Sequence, residues 1–287
     1  MSSELQERAQ RHQSDLSPQL VRALRYLLSN ADEIAMSSMR ALSVKAEVTA
    51  PTMLRLVRRL GYADWNELRD EIQARVRNRD EGPLTARARS LASRPGHEAL
   101  RQIISEAMAM DERNLQRSWH AIMPEQLEVA VSALRAARRV CFLGRRSCYP
   151  VAFSMAYAFG TIRDNGQLMS DNGVGLSTPL IGLDHRDMLV SVGFAPYSAE
   201  TVELTQQAVK AGVAVLAITD SPISPLAEHA AHLFVAANEG PALFQSIIAA
   251  QSISQALIAL IAAADGAKAV AAIEQREAQL QVLGAYR

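Results

Sequence analysis

The second half of the chain alternates short apolar runs with longer segments of helical periodicity, and this alternation most restricts the possible fold. A short apolar run bounded by glycine or polar residues predicts a strand that is buried on both faces. Such strands, when they alternate with helices, form a doubly wound parallel α/β sheet. The predicted strands are Val140–Gly144, Met188–Gly193, 213–219 and 233–236, and the predicted helices between and around them are 125–137, 150–162 and 198–211.

Residues 38–60 predict a short helix, a three-residue break and a second helix. The break is Glu47-Val48-Thr49, and Thr49 stands where an N-cap hydroxyl accepts a hydrogen bond from the first turn of the next helix. Pro51 suits that first turn, because its missing N–H would be unpaired there anyway. This order is typical of a helix-turn-helix, which inserts its second helix into the major groove of DNA. The apolar positions that should face inward are Met39, Leu42, Ala46, Met53, Leu56, Val57 and Leu60.

The outward face of the second helix carries three arginines, which suit contacts with DNA phosphates and base edges. An amphipathic helix with arginines is, by itself, more often an ordinary solvated helix, but the order of break, N-cap and proline favours DNA binding. Glu47 departs from the usual motif, since this position needs a positive φ and normally holds glycine, at a cost of about 1 kcal/mol. The residues predicted to contact DNA are Thr49, Thr52, Arg55, Arg58 and Arg59.

Changes in composition divide the chain into three parts. Residues 1–79 have only helical patterns and hold the helix-turn-helix. Residues 80–123 follow a polar linker at 78–83 and contain one long helix, 97–119, which would brace the protein or pack in a dimer. Residues 124–287 hold the α/β sheet, so the predicted fold is α plus α/β. Within residues 1–79 the further expectations are a helix from Pro18 to Leu28, a connection over Ala31–Met36 and a helix over 62–76.

The charge distribution fits a small DNA-binding module better than a long electrostatic surface. The 287 residues are 49% hydrophobic, which suffices for two cores, and their net charge is zero. Residues 1–79 hold 13 Lys and Arg against 10 Asp and Glu, whereas residues 140–287 hold 8 against 12. The positive excess therefore lies with the helix-turn-helix, as DNA binding requires.

The sequence gives little indication of disulfides, a metal site or a membrane span. Cys141 and Cys148 are too few for a disulfide framework. His229 and His232 share a helical face without a third ligand, so no metal site is expected, and no cofactor is expected either. The N-terminal residues lack an apolar targeting segment, and the apolar stretch 247–264 is interrupted by polar residues. We therefore expect a soluble, cytoplasmic protein without a membrane span.

Three turns that follow predicted strands could place hydroxyls and free amides around an anion. They are 144–148, 193–201 and 219–226, and their serines are Ser147, Ser198 and Ser221. Each serine alone would be a simple helix cap. Because ligands bind at the carboxyl ends of strands in such sheets, three turns of this kind in one sheet favour a phosphate pocket.

The whole chain, over roughly residues 5–280, resembles the RpiR/MurR family of bacterial transcription regulators. The strings that carry the resemblance are VTAPTMLRLVRRLGYADWNELR, VCFLGRRS, FAPYSAETVEL and AVLAITDSPISPLA. The resemblance implies an RpiR-type helix-turn-helix domain followed by a sugar isomerase (SIS) domain that senses a phosphorylated sugar.

In the predicted sensing domain, this sequence matches only some of the ligand-binding positions that the resemblance implies. Ser147 matches a serine that contacts the ligand phosphate, but Arg145 and Arg146 replace the usual small residues before it. Guanidinium groups there would strengthen phosphate binding or narrow the site. In the second turn the family pattern Ser-x-Ser-Gly-x-Thr has lost two serines, and Ser198 keeps a hydroxyl. The predicted effector-binding residues are Ser147, Ser198, Arg145, Arg146 and Ser221.

These patterns predict a DNA-binding repressor of sugar or sugar-derivative genes. A homodimer or tetramer would bind a pseudo-palindromic operator, and a small anionic metabolite, a sugar phosphate by resemblance, would control it. The first alternative is a sugar-phosphate isomerase with a vestigial DNA-binding domain, with His185 and Glu239 as candidate bases. The second is a ligand-independent DNA-binding or architectural dimer. We expect no catalytic residues.

Overall fold

The structure, a computed structural model, describes residues 5, 8, 9, 12, 16–77, 83–94, 96–171 and 175–285. It divides into two compact units, one built mainly from residues up to Ala99 and one mainly from the residues after it. The predicted linker at 78–83 lies outside the described residues except for Pro83. The division into 1–79, 80–123 and 124–287 stays a prediction.

The first unit is helical. Its amphipathic segments bury their leucines, isoleucines and aromatic residues against one another, and the core includes Leu24, Leu42, Leu56 and Leu68, all fully buried. Its helices are α1 (Pro18–Ser29), α2 (Ala31–Met36), α3 (Met39–Lys45), α4 (Ala50–Arg59), α5 (Trp65–Arg77) and α6 (Pro83–Ala92).

The connection predicted over Ala31–Met36 is wrong, because these residues form helix α2. A helix of six residues is too short to show a periodic pattern in the sequence. Ile34 anchors it as a fully buried core residue. The Tyr26 hydroxyl on α1 donates to Glu33 Oε2 on α2 over 3.1 Å and ties the two helices together.

The second part of the chain holds one parallel sheet with helices on both faces, as predicted. Two of the predicted strands have the observed bounds, and the others are shifted by one residue at one or both ends. The elements are α7 (His97–His120), α8 (Pro124–Ala136), β1 (Val140–Gly144), α9 (Tyr149–Ile162), β2 (Gly166–Leu168), β3 (Met188–Gly193), α10 (Ala199–Lys210), β4 (Ala214–Thr219), β5 (His232–Val235), α11 (Ile248–Asp265) and α12 (Ala267–Val282).

The strand order is β2-β1-β3-β4-β5, and every pair of neighbours is parallel. Gly144 of β1 pairs with Val192 of β3, and Gly193 of β3 pairs with Thr219 of β4. The carboxyl ends of these three strands therefore lie side by side. Strand β2 was missed because a three-residue edge strand with the sequence Gly-Gln-Leu has no apolar run.

Side chains alternate between two cores along the strands. Val140 and Phe142 of β1 face the core formed with α8, α9 and α11. Cys141 and Leu143 face the core formed with α10. Both cysteines are buried and free, in agreement with the absence of a disulfide framework in the sequence.

Helix α11 is, by length and composition, apolar enough to cross a membrane, contrary to the prediction for 247–264. Its position explains the composition. Ala250, Ile253, Leu257 and Ile261 are fully buried in the core between α11 and the sheet. A helix that covers a parallel sheet needs such a face, so the apolar residues of α11 serve packing.

Candidate functional site: a DNA-reading helix and an anion crevice

Helices α3 and α4 form the predicted helix-turn-helix. Thr49 is the N-cap of α4, and its Oγ1 accepts from the Thr52 N–H over 3.3 Å. Ser38 caps α3 in the same way through Ala41 N–H, at 3.2 Å. Glu47 has φ +52°, which confirms that the turn needs a positive φ at its first position.

The two faces of α4 differ as the sequence predicts. Met53, Leu56, Val57 and Leu60 are fully buried. Three arginines, Pro51 and the half-buried Leu54 form a shallow concave surface on the other side. Among the residues that the structure describes, no carboxylate pairs with these guanidinium groups. The arginines are Arg55, Arg58 and Arg59.

The two threonines predicted to contact DNA lie at the start of α4. Their hydroxyl oxygens are 2.9 Å apart, and Thr52 is largely buried. Thr52 therefore supports the cap from within, and Thr49 is the more accessible of the two. The DNA contacts of these five side chains stay predictions.

The carboxyl ends of β1 and β3 form the crevice in which doubly wound sheets bind ligands. The chain turns to one face of the sheet after β1 and to the other after β3, so the two loops diverge there. Loop 1 (145–148) follows β1, and loop 2 (194–198) follows β3. The turn after β4, which holds Ser221, follows the next strand along.

Loop 1 approaches the end of β1 closely. A Cβ on Gly144 would lie 2.7 Å from the Cys148 carbonyl oxygen, so glycine is required there. Ser147 was predicted to cap the next helix, and this is wrong. Arg146–Cys148 form a single 3-10 turn, which leaves Cys148 at the N-cap position of α9. Burial raises the pKa of the Cys148 thiol to about 11, so the thiol is protonated at neutral pH.

Loop 2 leaves the start of α10 without a side-chain cap. Ser198 occupies the predicted N-cap position, but its hydroxyl makes no capping hydrogen bond. Thr201, the third residue of α10, is 1% exposed, and its buried Oγ1 has no hydrogen-bond partner among the residues that the structure describes. Thr201 was not predicted from the sequence, although a hydroxyl in the first turn of a helix beside the crevice was a usable signal.

Asp220, which was not predicted from the sequence either, holds loop 2 in place. Its Oδ1 accepts from the Tyr197 hydroxyl over 2.7 Å, and its Oδ2 accepts from the Ala195 N–H over 3.2 Å. The Ala195–Pro196 peptide bond between these donors is cis. Burial raises the pKa of Asp220, and the Tyr197 hydrogen bond opposes that rise.

The predicted arginines of loop 1 differ in their contacts. Arg145 donates through Nε to Glu200 Oε2 over 2.9 Å, which links loop 1 to the first turn of α10. Arg146 is exposed with φ +52°, and no partner for its guanidinium is found in the described part of the chain. Ser221 is buried at the end of the neighbouring strand β4.

The two candidate isomerase bases do not meet in this crevice. His185 is exposed and precedes β3, so it lies at the amino edge of the sheet. Glu239 follows β5 and is ion-paired with Arg117 of α7. His232 is the first residue of β5, and burial lowers its pKa. Within the ranges described above, no three His, Cys, Asp or Glu residues are grouped as metal ligands would be.

Comparison with known proteins agrees with this architecture. Residues 133–263 match the SIS domain family. An uncharacterized HTH-type transcriptional regulator from Haemophilus influenzae is 21% identical over 213 residues, which cover 74% of this chain and 73% of the relative.

Two solved structures are similar. One is the sugar isomerase domain of an RpiR transcription factor from Sphaerobacter thermophilus, at 27% identity and a TM-score of 0.58, covering 61% of this chain and 98% of that one. The other is the Vibrio vulnificus NanR protein complexed with ManNAc-6P, at 18% identity and a TM-score of 0.55, covering 98% and 100%; at that identity it supports the fold alone. The SIS domain match, the regulator relative and the RpiR structure together support an RpiR-type transcriptional regulator.

Proposed function

We propose that this protein is a cytoplasmic repressor that binds a pseudo-palindromic operator through α4. An anionic sugar phosphate in the crevice between β1 and β3 controls that binding. A palindrome needs two copies of the reading helix, so the active species is a homodimer or a tetramer. The regulated genes are those of sugar or sugar-derivative metabolism, since such a ligand reports their substrates.

The DNA-binding part of the proposal is supported by the three arginines of α4. Arg55, Arg58 and Arg59 share one exposed face and have no carboxylate partner among the described residues. Unpaired guanidinium groups are free to take phosphate oxygens or guanine edges without first breaking an ion pair.

The anion site rests on one observation above all, the buried hydroxyl of Thr201 without a partner. Leaving a buried hydroxyl unpaired costs about 1–3 kcal/mol, and a bound oxyanion would remove that cost. The free N–H groups at the uncapped start of α10 favour an anion at the same place. Ser198 and Arg145 supply a further hydroxyl and a positive charge beside it. Ser147, Arg146 and Ser221 complete the proposed site.

The chemical class of the effector follows from the fold and its neighbours. The NanR protein, which shares the fold, was solved with ManNAc-6P. A phosphate group matches the donors at the start of α10, and the sugar would extend along loops 1 and 2. The regulator is favoured over the isomerase because Glu239 is held by Arg117 and His185 lies at the other edge of the sheet.

The DNA-binding proposal is tested by selecting genomic fragments with the full chain. The wild type should enrich fragments with a two-fold repeat whose half-sites lie about one helical turn, or a multiple, apart. Arg55→Ala should weaken binding by about 1–3 kcal/mol if that residue reads a base. Arg276→Ala on α12 is the matched exposed control. Unchanged binding in Arg55→Ala, Arg58→Ala and Arg59→Ala alike would rule out α4 as the reading helix.

The effector proposal is tested by a thermal-shift screen of the full chain against phosphosugars and sugar acids. A ligand of the folded state raises the melting temperature by mass action. Phosphosugars should stabilise the wild type, and the same sugars without phosphate should not. Equal stabilisation by both sets would contradict a phosphate site.

A further inference from the structure

The loop between β5 and α11 runs along α7 and is bonded to it over two helical turns. Residues 237–246 of this loop are called the strap below. Ala237 N–H donates to Ser118 Oγ over 2.9 Å. Asn114 and Glu239 exchange two hydrogen bonds, from Nδ2 to the Glu239 carbonyl at 2.6 Å and from the Glu239 N–H to Oδ1 at 3.2 Å. Asn114 and Ser118 are buried, so these bonds are shielded from water.

Charged and hydroxyl groups add to the same attachment. Arg117 pairs with the Glu239 carboxylate. At the other end of the strap, the Ser246 hydroxyl donates to Asp111 of α7. The Ser246 N–H also donates to the Asn238 carbonyl over 3.1 Å, which closes the strap on itself. The strap is therefore held on residues 111–118 of α7.

One side chain of the strap also reaches the anion crevice. Gln245 Nε2 donates to the carbonyl oxygen of Ala195 in loop 2. Ala195 is the residue whose N–H donates to Asp220, so the same peptide segment is held from both sides. Gln245 and Ser246 are consecutive, and they hold loop 2 and α7 respectively. Loop 2 and α7 are therefore connected through two consecutive residues of the strap.

Helix α7 is also the segment through which the chain passes from the first compact unit to the second. The first unit, which holds the predicted helix-turn-helix, is called the helix-turn-helix unit, and the second, which holds the SIS domain, is called the SIS unit. Helix α7 begins at His97 and continues without a break to His120. A regular helix resists bending, so a shift of residues 111–118 is carried toward its first turns. Asp111 and Asn114 lie on the part of α7 that the strap holds.

We propose that the strap couples the anion site to α7, with Gln245 as the positioning residue that carries the signal. The inference rests on the proposed function and names its regulatory path. An anion that binds Ser198 and Thr201 draws in loop 2, and the Gln245 bond pulls the strap and α7 with it. The ligand acts because it binds one arrangement of loop 2 more tightly than the other.

Hydrogen–deuterium exchange of the full chain tests the coupling with inorganic phosphate and with N-acetylmannosamine 6-phosphate as probes. In the wild type, the probe should slow exchange in loop 2 and also change it in the strap and in residues 111–118. In Gln245→Ala, the change in loop 2 should persist and the change in α7 should be lost. Gln251→Ala is the matched control, because its side-chain amide bonds Ser154 on α9 over 2.7 Å, outside the strap. An α7 response that survives in Gln245→Ala overturns the inference.

A second arm needs no ligand. Tyr197→Phe removes the hydroxyl bond to Asp220 and should speed exchange in loop 2, the strap and residues 111–118. Adding Gln245→Ala should abolish the effect in α7, and adding Gln251→Ala should leave it. A Tyr197→Phe effect confined to loop 2 overturns the coupling. If neither anion alters loop 2 in the wild type, the thermal-shift screen of phosphosugars decides the proposed function, and this second arm decides the coupling by itself.

Discussion

Arg145 donates through Nε to Glu200 Oε2 over 2.9 Å, and this ion pair joins the loop after β1 to the first turn of α10. It places a guanidinium at the start of a helix whose N-cap side chain makes no hydrogen bond. It also places a carboxylate where an anion is proposed to bind. Glu200 therefore holds Arg145 in position and, if the proposed anion binds here, would compete with it for the guanidinium group.

Glu200→Gln should strengthen anion binding. Removing the carboxylate frees Arg145 and lowers the repulsion between residue 200 and an anion at the start of α10. It also removes the small stabilisation that a negative charge gives to the N-terminus of a helix. Because the pair is partly exposed, the gain should be about 0.5–1 kcal/mol, or roughly two- to fivefold in affinity. Titration calorimetry with a phosphosugar measures it. Glu203→Gln, further along α10 and also exposed, is the control and should have little effect. Weaker binding by Glu200→Gln would mean that Glu200 itself holds the ligand.

Thr201→Val should weaken anion binding without destabilising the protein. The Thr201 hydroxyl has no partner, so its removal costs no hydrogen bond. Thr205→Val is the contrasting variant. Its buried hydroxyl lies 2.8 Å from Ser191 Oγ and donates to the Thr201 carbonyl over 2.7 Å, so its loss should cost about 1–2 kcal/mol. Urea unfolding and a phosphosugar titration separate the two effects. Equal destabilisation by both variants would show that Thr201 already has a partner in solution.

Glu47→Gly should stabilise the helix-turn-helix unit by about 0.5–1 kcal/mol. Glu47 has φ +52°, which strains an L-residue, and glycine relieves this at some entropic cost in the unfolded chain. Glu47 also pairs with Arg22 at 3.6 Å, but both side chains are well exposed, so that pair adds little. Glu47→Ala removes the same pair while keeping the strain, and is the control. Equal unfolding midpoints for the glycine and alanine variants would argue against strain at this turn.

Arg138→Ala should destabilise the SIS unit, because it leaves the buried Asp187 carboxylate without its main cationic partner. Arg138 donates to both carboxylate oxygens of Asp187, whose side chain is buried, and thereby lowers the pKa of Asp187. Arg139→Ala is the control, since its guanidinium lies 3.7 Å from the same carboxylate. Arg139→Ala should therefore lower the free energy of unfolding less than Arg138→Ala does.

The same pair gives a pH dependence. A lowered carboxyl pKa in the folded protein means that the stabilisation is complete above the unfolded value of about 3.9 and is lost as pH falls through the folded value. The difference in unfolding free energy between wild type and Arg138→Ala should therefore shrink below about pH 4. A difference that grows as the pH falls in this window would contradict the assigned cause.

Helices and strands were predicted from the sequence where they carry a clear local pattern of apolar or capping residues. The strands Val140–Gly144 and Met188–Gly193 and the capped start of α4 at Thr49 were predicted, because apolar runs and caps are local signals. Strand β2 and helix α2 were not, since three or six residues carry too little pattern.

The position of the candidate loops at the strand ends was predicted from the sequence, but the contacts within them were predicted only in part. Ser147 and Ser198 lie in loops 1 and 2, after β1 and β3, as the order of the predicted elements indicated. Their contacts with a ligand stay predictions. The role of Asp220 depends on a contact with Tyr197, which no spacing rule gives. The attachment of the strap to α7 joins residues more than a hundred positions apart, such as Asn114 and Glu239, and only the fold brings them together.

The most direct test of the whole account is a titration of a stabilising phosphosugar against the protein–operator complex, with wild type beside the Ser147→Ala, Ser198→Ala double variant. Each charge-assisted hydrogen bond is worth about 1.5–3 kcal/mol, so the double variant should need well over tenfold more ligand to change operator occupancy. Its operator affinity without ligand should equal that of the wild type, since both serines lie in the crevice of the SIS unit. Operator occupancy in the wild type that does not change when the phosphosugar is bound would contradict the central claim.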